Sequence, residues 1–217
     1  LGPTGVGKTG VSLRLARRLG TEIISADSMQ VYRGMDIGTA KPTKEEQATV
    51  VHHMVDIVEP SGTFSAGEYL RAVAPVIEGM HTQGKIPIVV GGTGLYIKAM
   101  TRGIFSGPSA DEGLREGLME RERETPGTLF AWLREADPEA AGRIGAHDLR
   151  RIVRGLEVCL KSGTTISDLQ RSGTEPLPYG FLKIGLMRER SELYRMIDHR
   201  VDMMLEGGLI AEVERLL

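Results

Sequence analysis

The residues best placed to do chemistry stand at the start of the chain, where Gly2-Pro3-Thr4-Gly5-Val6-Gly7-Lys8-Thr9 fits the pattern G-x-x-x-x-G-K-[ST] of a phosphate-binding loop. Glycines let the backbone wrap an oxyanion so that successive N–H groups point at it, and a helix starting at the loop adds its positive end. Lys8 would reach the outer phosphate, and the Thr9 hydroxyl would hold Mg²⁺. A ligand with a pyrophosphate is the expectation. Two further features belong near it: Asp27, just past the apolar run Glu22–Ala26, and Gly91-Gly92-Thr93, which closes the run Lys85–Val90. Asp27 could coordinate Mg²⁺, act as a general base or cap a turn. Gly91-Gly92-Thr93 could serve a ligand or be a plain strand-to-helix turn with Thr93 as N-cap.

The elements that must position these groups can be read in turn. The phosphate loop opens a helix with Val11, Leu15 and Leu19 on one face and Gly20 as its stop. Strands are expected over Glu22–Ala26, Met54–Val58, Lys85–Val90 and Phe181–Leu186. Ser65-Ala66-Gly67-Glu68 is a capping box for a helix running to about Thr82, and a further helix spans Gly94–Arg102. Alternating strands and helices imply an α/β fold with a parallel sheet covered on both faces. Ligands of such sheets bind outside the carboxyl ends of the strands, where the loop, Asp27 and Gly91-Gly92-Thr93 all fall. Between about Ile104 and Tyr179 only helices are expected. Ser109–Glu112 reads as a capping box, Asp137-Pro138 starts a turn, and Asp148 caps a helix ending near Gly163. The expected organisation is a phosphate-loop core, 1–103 and 180–217, interrupted by a helical insertion, 104–179.

Composition narrows the class. The 217 residues are 41% hydrophobic and 26% charged, with net charge −2, so nothing global favours nucleic acid. No run approaches the roughly 18 apolar residues of a membrane span. The single Cys159 excludes an intrachain disulfide and fits a reducing compartment. It falls on an apolar helix face and reads as a buried, inert thiol. A phosphate loop needs a strand before it, of which only Leu1 is present, and Leu216-Leu217 stops inside a helical pattern. The chain is therefore expected to be part of a longer protein. No apolar strand ends in an acidic pair suited to NTP hydrolysis. That leaves small-molecule phosphoryl transfer, or chemistry in which pyrophosphate is the leaving group.

The block from Asp27-Ser28-Met29-Gln30 through Gly38-Thr39-Ala40-Lys41-Pro42, with Gly91-Gly92-Thr93-Gly94-Leu95-Tyr96, resembles the bacterial tRNA dimethylallyltransferases, also called tRNA isopentenyltransferases. The resemblance runs from the phosphate loop to Ile197-Asp198-His199-Arg200. It implies transfer of a dimethylallyl group from dimethylallyl diphosphate to the exocyclic amine of an adenosine beside the anticodon, without ATP. Gly2 to Thr9 would then be the nucleotide-type loop that holds the diphosphate. Lys8, Arg200 and Mg²⁺ held by Thr9 would neutralise the departing pyrophosphate. Asp27 would accept the amine proton, and Thr93 would bond near the bridging oxygen. The target base must leave its stack to reach such a site. The resemblance also implies a cytoplasmic enzyme acting as a monomer on the tRNA anticodon stem-loop.

RNA needs local charge. Segment 143–171 has six basic residues against three acidic, and Arg150, Arg154 and Lys161 fall on one helical face, with Ile152, Leu156, Cys159 and Leu160 on the other. A solvated face is the competing reading. The resemblance places tRNA contacts at Asp27, Ser28, Met29, Gln30 and Thr93, and along Arg150, Arg151, Ile152, Val153 and Arg154, with Arg115 as a candidate of the same kind. A kinase whose insertion acts as an arginine-bearing lid, and a nucleotide-dependent RNA-binding switch, are the competing functions. His52-His53 suits no metal pair, and Trp132 reads as core beside Leu129 and Leu133.

Overall fold

A computed structural model describes residues 1–217. The chain divides into two compact units, Leu1–Thr101 with Leu177–Leu217, and Arg102–Pro176. In the first unit the order is α1 (Lys8–Leu19), β1 (Ile23–Ser25), α2 (Lys44–Thr49), β2 (His52–His53), α3 (Ala66–Thr82), β3 (Ile88–Val90) and α4 (Gly94–Arg102). The second unit holds α5 (Glu112–Glu124), α6 (Thr128–Ala136), α7 (Pro138–Ala141), α8 (Leu149–Ser162) and α9 (Ile166–Ser172). The chain then returns to the first unit with α10 (Arg190–Glu206) and α11 (Leu209–Leu216).

The sheet is parallel, in the order β2-β1-β3, with Ile23 opposite both His52 and Ile88. β1 is buried throughout, as a central strand must be. Helix α3 lays Tyr69, Val73, Ile77 and Met80 against Ile24, Ala26, Tyr96 and Met100. Its Ser65 cap and Glu68 close the capping box expected from the sequence. Tyr69 stacks on Tyr96 at 4.0 Å and donates its hydroxyl to Ser25 O at 3.0 Å, so the end of β1 is tied to both covering helices.

Several expected elements differ. The second strand is His52–His53, not Met54–Val58: Met54 and Asp56 take left-handed φ of 64° and 56°, which no strand tolerates. The backbone at 56–58 instead donates to Gln30 and Val31 carbonyls at 2.8–3.2 Å. Phe181–Leu186 forms no strand of the sheet; Leu186 N donates to Leu1 O at 2.7 Å, and Leu1 N to Ile184 O at 2.8 Å. Helix α1 buries Ser12, Leu13 and Ala16, whereas Val11, Leu15 and Leu19 line an open apolar groove of about 360 Å³ together with Ile86 and Leu182.

The second unit has its own core of Leu118, Leu129, Leu133, Ile152, Leu156 and Val158. Asp111, not Ser109, caps α5, accepting from Leu114 N at 3.1 Å. Asp148 caps α8, and Gly163 ends it at φ 66°. Leu160 is 47% exposed and lies outside the core, while Cys159 is half-buried with its thiol pushed up chiefly by burial.

Gly91 is where the sheet meets the site. Ala26 N donates to Val90 O at 2.7 Å and Thr93 N to Ala26 O at 3.1 Å, and a Cβ on Gly91 would overlap the Ala26 carbonyl. Gly91→Ala is expected to lower unfolding free energy by about 2 kcal/mol through forced backbone separation, measured by urea denaturation.

Candidate diphosphate site and basic face

The phosphate loop turns through left-handed φ at Gly5 (81°) and Gly7 (94°), a path open to glycine. Helix α10 lies over it: a Cβ on Gly5 would stand 2.9 Å from Ile197 Cγ1. The Lys8 ammonium folds back, donating to Gly2 O at 2.9 Å and Pro3 O at 2.8 Å. Its pKa is lowered, first by burial; the nearby Asp27 carboxylate opposes this and Arg200 adds to it. Lys8, Asp27 and Arg200 therefore share one electrostatic neighbourhood. Gly92 closes the circle, since a Cβ on it would lie 3.9 Å from Lys8 Nζ and 3.7 Å from Gly2 O.

The ends of β1 and β3 interlock beside this loop. Thr93 Oγ1 accepts from Ser28 N at 2.9 Å and lies 3.3 Å from Ser28 Oγ. Asp27 Oδ1 accepts from Met29 N at 2.9 Å, and Oδ2 makes no hydrogen bond within the chain. Met29 is exposed. Gln30 faces inward instead, accepting from Ser25 Oγ at 2.9 Å and donating to Thr39 O and Ala40 O at 3.3 and 3.1 Å. Tyr96, whose hydroxyl is pushed up to about 12 by burial and then by Tyr32 and Asp27, remains neutral beside them.

For Mg²⁺ the donor set is hard but sparse. No group of three or more His, Cys, Asp or Glu residues could hold a metal unaided. Thr9 is exposed in the first turn of α1, and its hydroxyl fits an ion that keeps several waters and binds through phosphate oxygens.

Sequence reasoning missed Arg188. Its Nη2 lies 3.8 Å from where a Cβ on Gly7 would stand, and Nη1 bonds Glu192. The pairing of Leu186 with Leu1 delivers it to the loop, and no motif marks that pairing.

In the second unit, Arg150 and Arg151 are exposed in the first turn of α8. Ile152 and Val153 point into the core, at 0% and 6% exposure, so their side chains are turned away from solvent. Arg115 and Arg154 are engaged by Glu157, which is wholly buried. Arg115 Nε and Nη2 donate to Glu157 Oε1 and Oε2 at 2.9 and 3.1 Å, Arg154 Nη1 donates to Oε2, and Asp111 N donates to Oε1 at 2.8 Å. Trp132 packs against the core, with Arg121 5.6 Å from its ring.

A parallel α/β core that opens on a phosphate-loop motif, with a separate helical unit, defines the chain as an α/β protein of the phosphate-loop kind with a helical insertion. The family model for IPP transferase matches residues 30–217, and the chain belongs to that family. A tRNA dimethylallyltransferase of Thermodesulfovibrio yellowstonii is 57% identical over the whole chain, which spans 69% of that protein. One from Thermotoga maritima is 50% identical over the whole chain and 70% of its own length. Among solved structures, a full-length tRNA isopentenylpyrophosphate transferase of Bacillus halodurans matches 99% of the chain and 67% of that protein at 44% identity, with a TM-score of 0.65. A eukaryotic dimethylallyltransferase acting on tRNA matches 99% of the chain and 54% of that protein at 32% identity, with a TM-score of 0.81.

Burial pushes the Glu157 carboxyl up, but its guanidinium and amide partners outweigh this and hold it below the ordinary carboxylate range. A depressed folded pKa stabilises above the unfolded value and is lost as pH falls through the folded one. Glu157→Gln should thus destabilise the second unit by about 3 kcal/mol at neutral pH. The gap between variant and wild type should narrow as pH falls below the ordinary carboxylate range and the folded-state carboxyl takes up its proton, as read by urea unfolding at each pH.

Proposed function

We propose that this chain transfers a dimethylallyl group to tRNA, taking it from dimethylallyl diphosphate and placing it on the exocyclic amine of an adenosine beside the anticodon. The observation that carries this reading is the meeting of Asp27, the Ser28–Thr93 bond and Gly92 with Lys8 at the phosphate loop. That arrangement puts a proton acceptor and a hydroxyl beside an anion cradle, as substitution with a diphosphate leaving group requires.

In the reaction the allylic C–O bond breaks and a C–N bond forms. The loop amides, Lys8, Arg188 and Arg200 take up the charge that grows on the departing diphosphate. Lys8 exchanges its Gly2 and Pro3 carbonyls for phosphate oxygens. Mg²⁺ held at Thr9 would screen the same oxygens. Thr93 orients the bridging oxygen, and Asp27 Oδ2 receives the proton that the amine loses. An aryl amine is a weak nucleophile, so positioning supplies much of the acceleration. No helix is long and apolar enough to cross a membrane. The reading includes a monomer working in the cytoplasm, with Arg150 and Arg151 meeting tRNA phosphates.

The test incubates the protein with unmodified tRNA, Mg²⁺ and dimethylallyl diphosphate without ATP, then weighs the digested nucleosides. An adenosine heavier by one dimethylallyl group is expected; ATP consumption with no mass change overturns the reading in favour of a kinase. Asp27→Ala should lower turnover by about a hundredfold or more while diphosphate binding survives, whereas Lys8→Ala should lose affinity and rate together. Chelating the Mg²⁺ should stop transfer. Arg150→Ala and Arg151→Ala should each raise KM for tRNA and reduce its dependence on log salt by up to about one unit of slope, measured by salt-titrated binding.

A further inference from the structure

Glu212 lies in α11, beyond every motif of the phosphate site, yet it is 3% exposed and accepts three backbone N–H bonds. Asp36 N and Ile37 N donate to Oε2 at 2.8 and 2.7 Å, and Gly38 N donates to Oε1 at 3.0 Å. Its neighbours on the same helical face continue the contact. Leu209 Cδ1 lies 3.1 Å from a Cβ built on Gly38, and Leu216 Cδ2 lies 3.8 Å from one built on Gly34. Residues 209, 212 and 216 thus line up along the 34–38 segment at helical spacing. Burial pushes the Glu212 carboxyl up, and the three amides outweigh it to hold it below the ordinary range.

The segment that Glu212 grips is joined to the site by side chains already described. Thr39 O and Ala40 O accept from Gln30 Nε2, and Gln30 Oε1 accepts from Ser25 Oγ at the end of β1. Gln30 directly follows Asp27-Ser28-Met29 and lies inside the turn that Tyr32 N closes on Met29 O at 3.2 Å. On its far side the segment is held by Lys41, whose buried ammonium donates to Asp36 Oδ1, Asp56 Oδ1 and Tyr32 O. Residues 34–41 belong to no helix or strand; turn bonds such as Ala40 N to Ile37 O at 2.9 Å and Lys41 N to Asp36 O at 3.0 Å shape the segment, and these buried charges tie it to its surroundings.

We infer that Glu212 is a positioning residue for the acceptor side of the site: it fixes the 34–41 segment and, through Gln30, the Asp27–Gln30 turn that meets tRNA. The inference rests on the prenyl-transfer reading above. A glutamine at 212 keeps the shape, but its amide nitrogen would face a backbone N–H that needs an acceptor.

The test is a pair of steady-state and binding measurements on Glu212→Gln, Gln30→Ala and the double variant. Glu212→Gln should lower kcat/KM for tRNA about tenfold while diphosphate affinity stays within about twofold of wild type, the loss expected for charge-assisted bonds. In the Gln30→Ala background the same change should lose far less, because both act along one path. Amide exchange of Ile37 and Gly38 should quicken in Glu212→Gln. If that variant does not fold, Gly38→Ala, which presses Leu209 and Glu212 away from the segment, should give a smaller defect of the same tRNA-selective kind. Unchanged tRNA kinetics, equal loss of diphosphate and tRNA affinity, or additive single and double effects each overturn the inference. A wild-type protein that alkylates no tRNA overturns the underlying reading instead.

Discussion

The close backbone approach of β1 and β3 at their carboxyl ends is the constraint on which the site depends. Ala26 exchanges bonds with Val90 and Thr93 across a gap that admits no side chain at Gly91. The strands are only three residues long, so a small splay there would move Asp27 away from Lys8. The Thr93–Ser28 bond carries the contact one step beyond the sheet, onto the loop that presents Asp27. Tyr69 braces the same point from the helix side. A short sheet thereby holds the turn that carries Asp27 through bonds gathered at one end.

Beyond the sheet, order comes from buried charge. Glu212 neutralises its anion with three peptide dipoles, Lys41 with two carboxylates and a carbonyl, and Glu157 with two guanidiniums and an amide. Such groups add little net stability, since desolvation offsets most of the attraction, but losing any partner leaves a buried charge uncompensated. They suit segments that must be positioned without being built into a helix or strand. The Glu157 cluster also changes the electrostatics of the second unit. It spends much of the charge of Arg115 and Arg154 internally and leaves the exposed first turn of α8, with Arg150 and Arg151, as the freer basic surface.

What was legible in the sequence was whatever a local rule governs. The phosphate loop, the Ser65–Glu68 box and the caps at Asp148 and Gly163 each follow from a few adjacent residues, and the parallel α/β order follows from their succession. The failures were non-local. Met54–Val58 is as apolar as a strand, but its backbone partners are at 30–31, which forces left-handed residues into the run. Val11, Leu15 and Leu19 make a good helical face whose groove stays open. For the site, Lys8, Asp27 and Thr93 could be placed by reading strand ends. Arg188 and Glu212 could not, because the segments they approach, at Gly7 and at 36–38, lie about 180 residues earlier in the chain. Helical periodicity at 209, 212 and 216 marks a contact face, but not what it contacts.

The resting position of Lys8 bears on how the site discriminates among anions. Its ammonium is satisfied by two loop carbonyls and partly desolvated, so a ligand gains only the difference between those bonds and its own. A single weak anion offers little advantage over two carbonyls. On the proposed reading a diphosphate, which carries more charge and more acceptor oxygens than a simple anion, would offer a larger one. Such a site would favour a charged leaving group over water or simple salts. It would favour it more as negative charge accumulates during bond cleavage, the condition under which binding energy becomes rate.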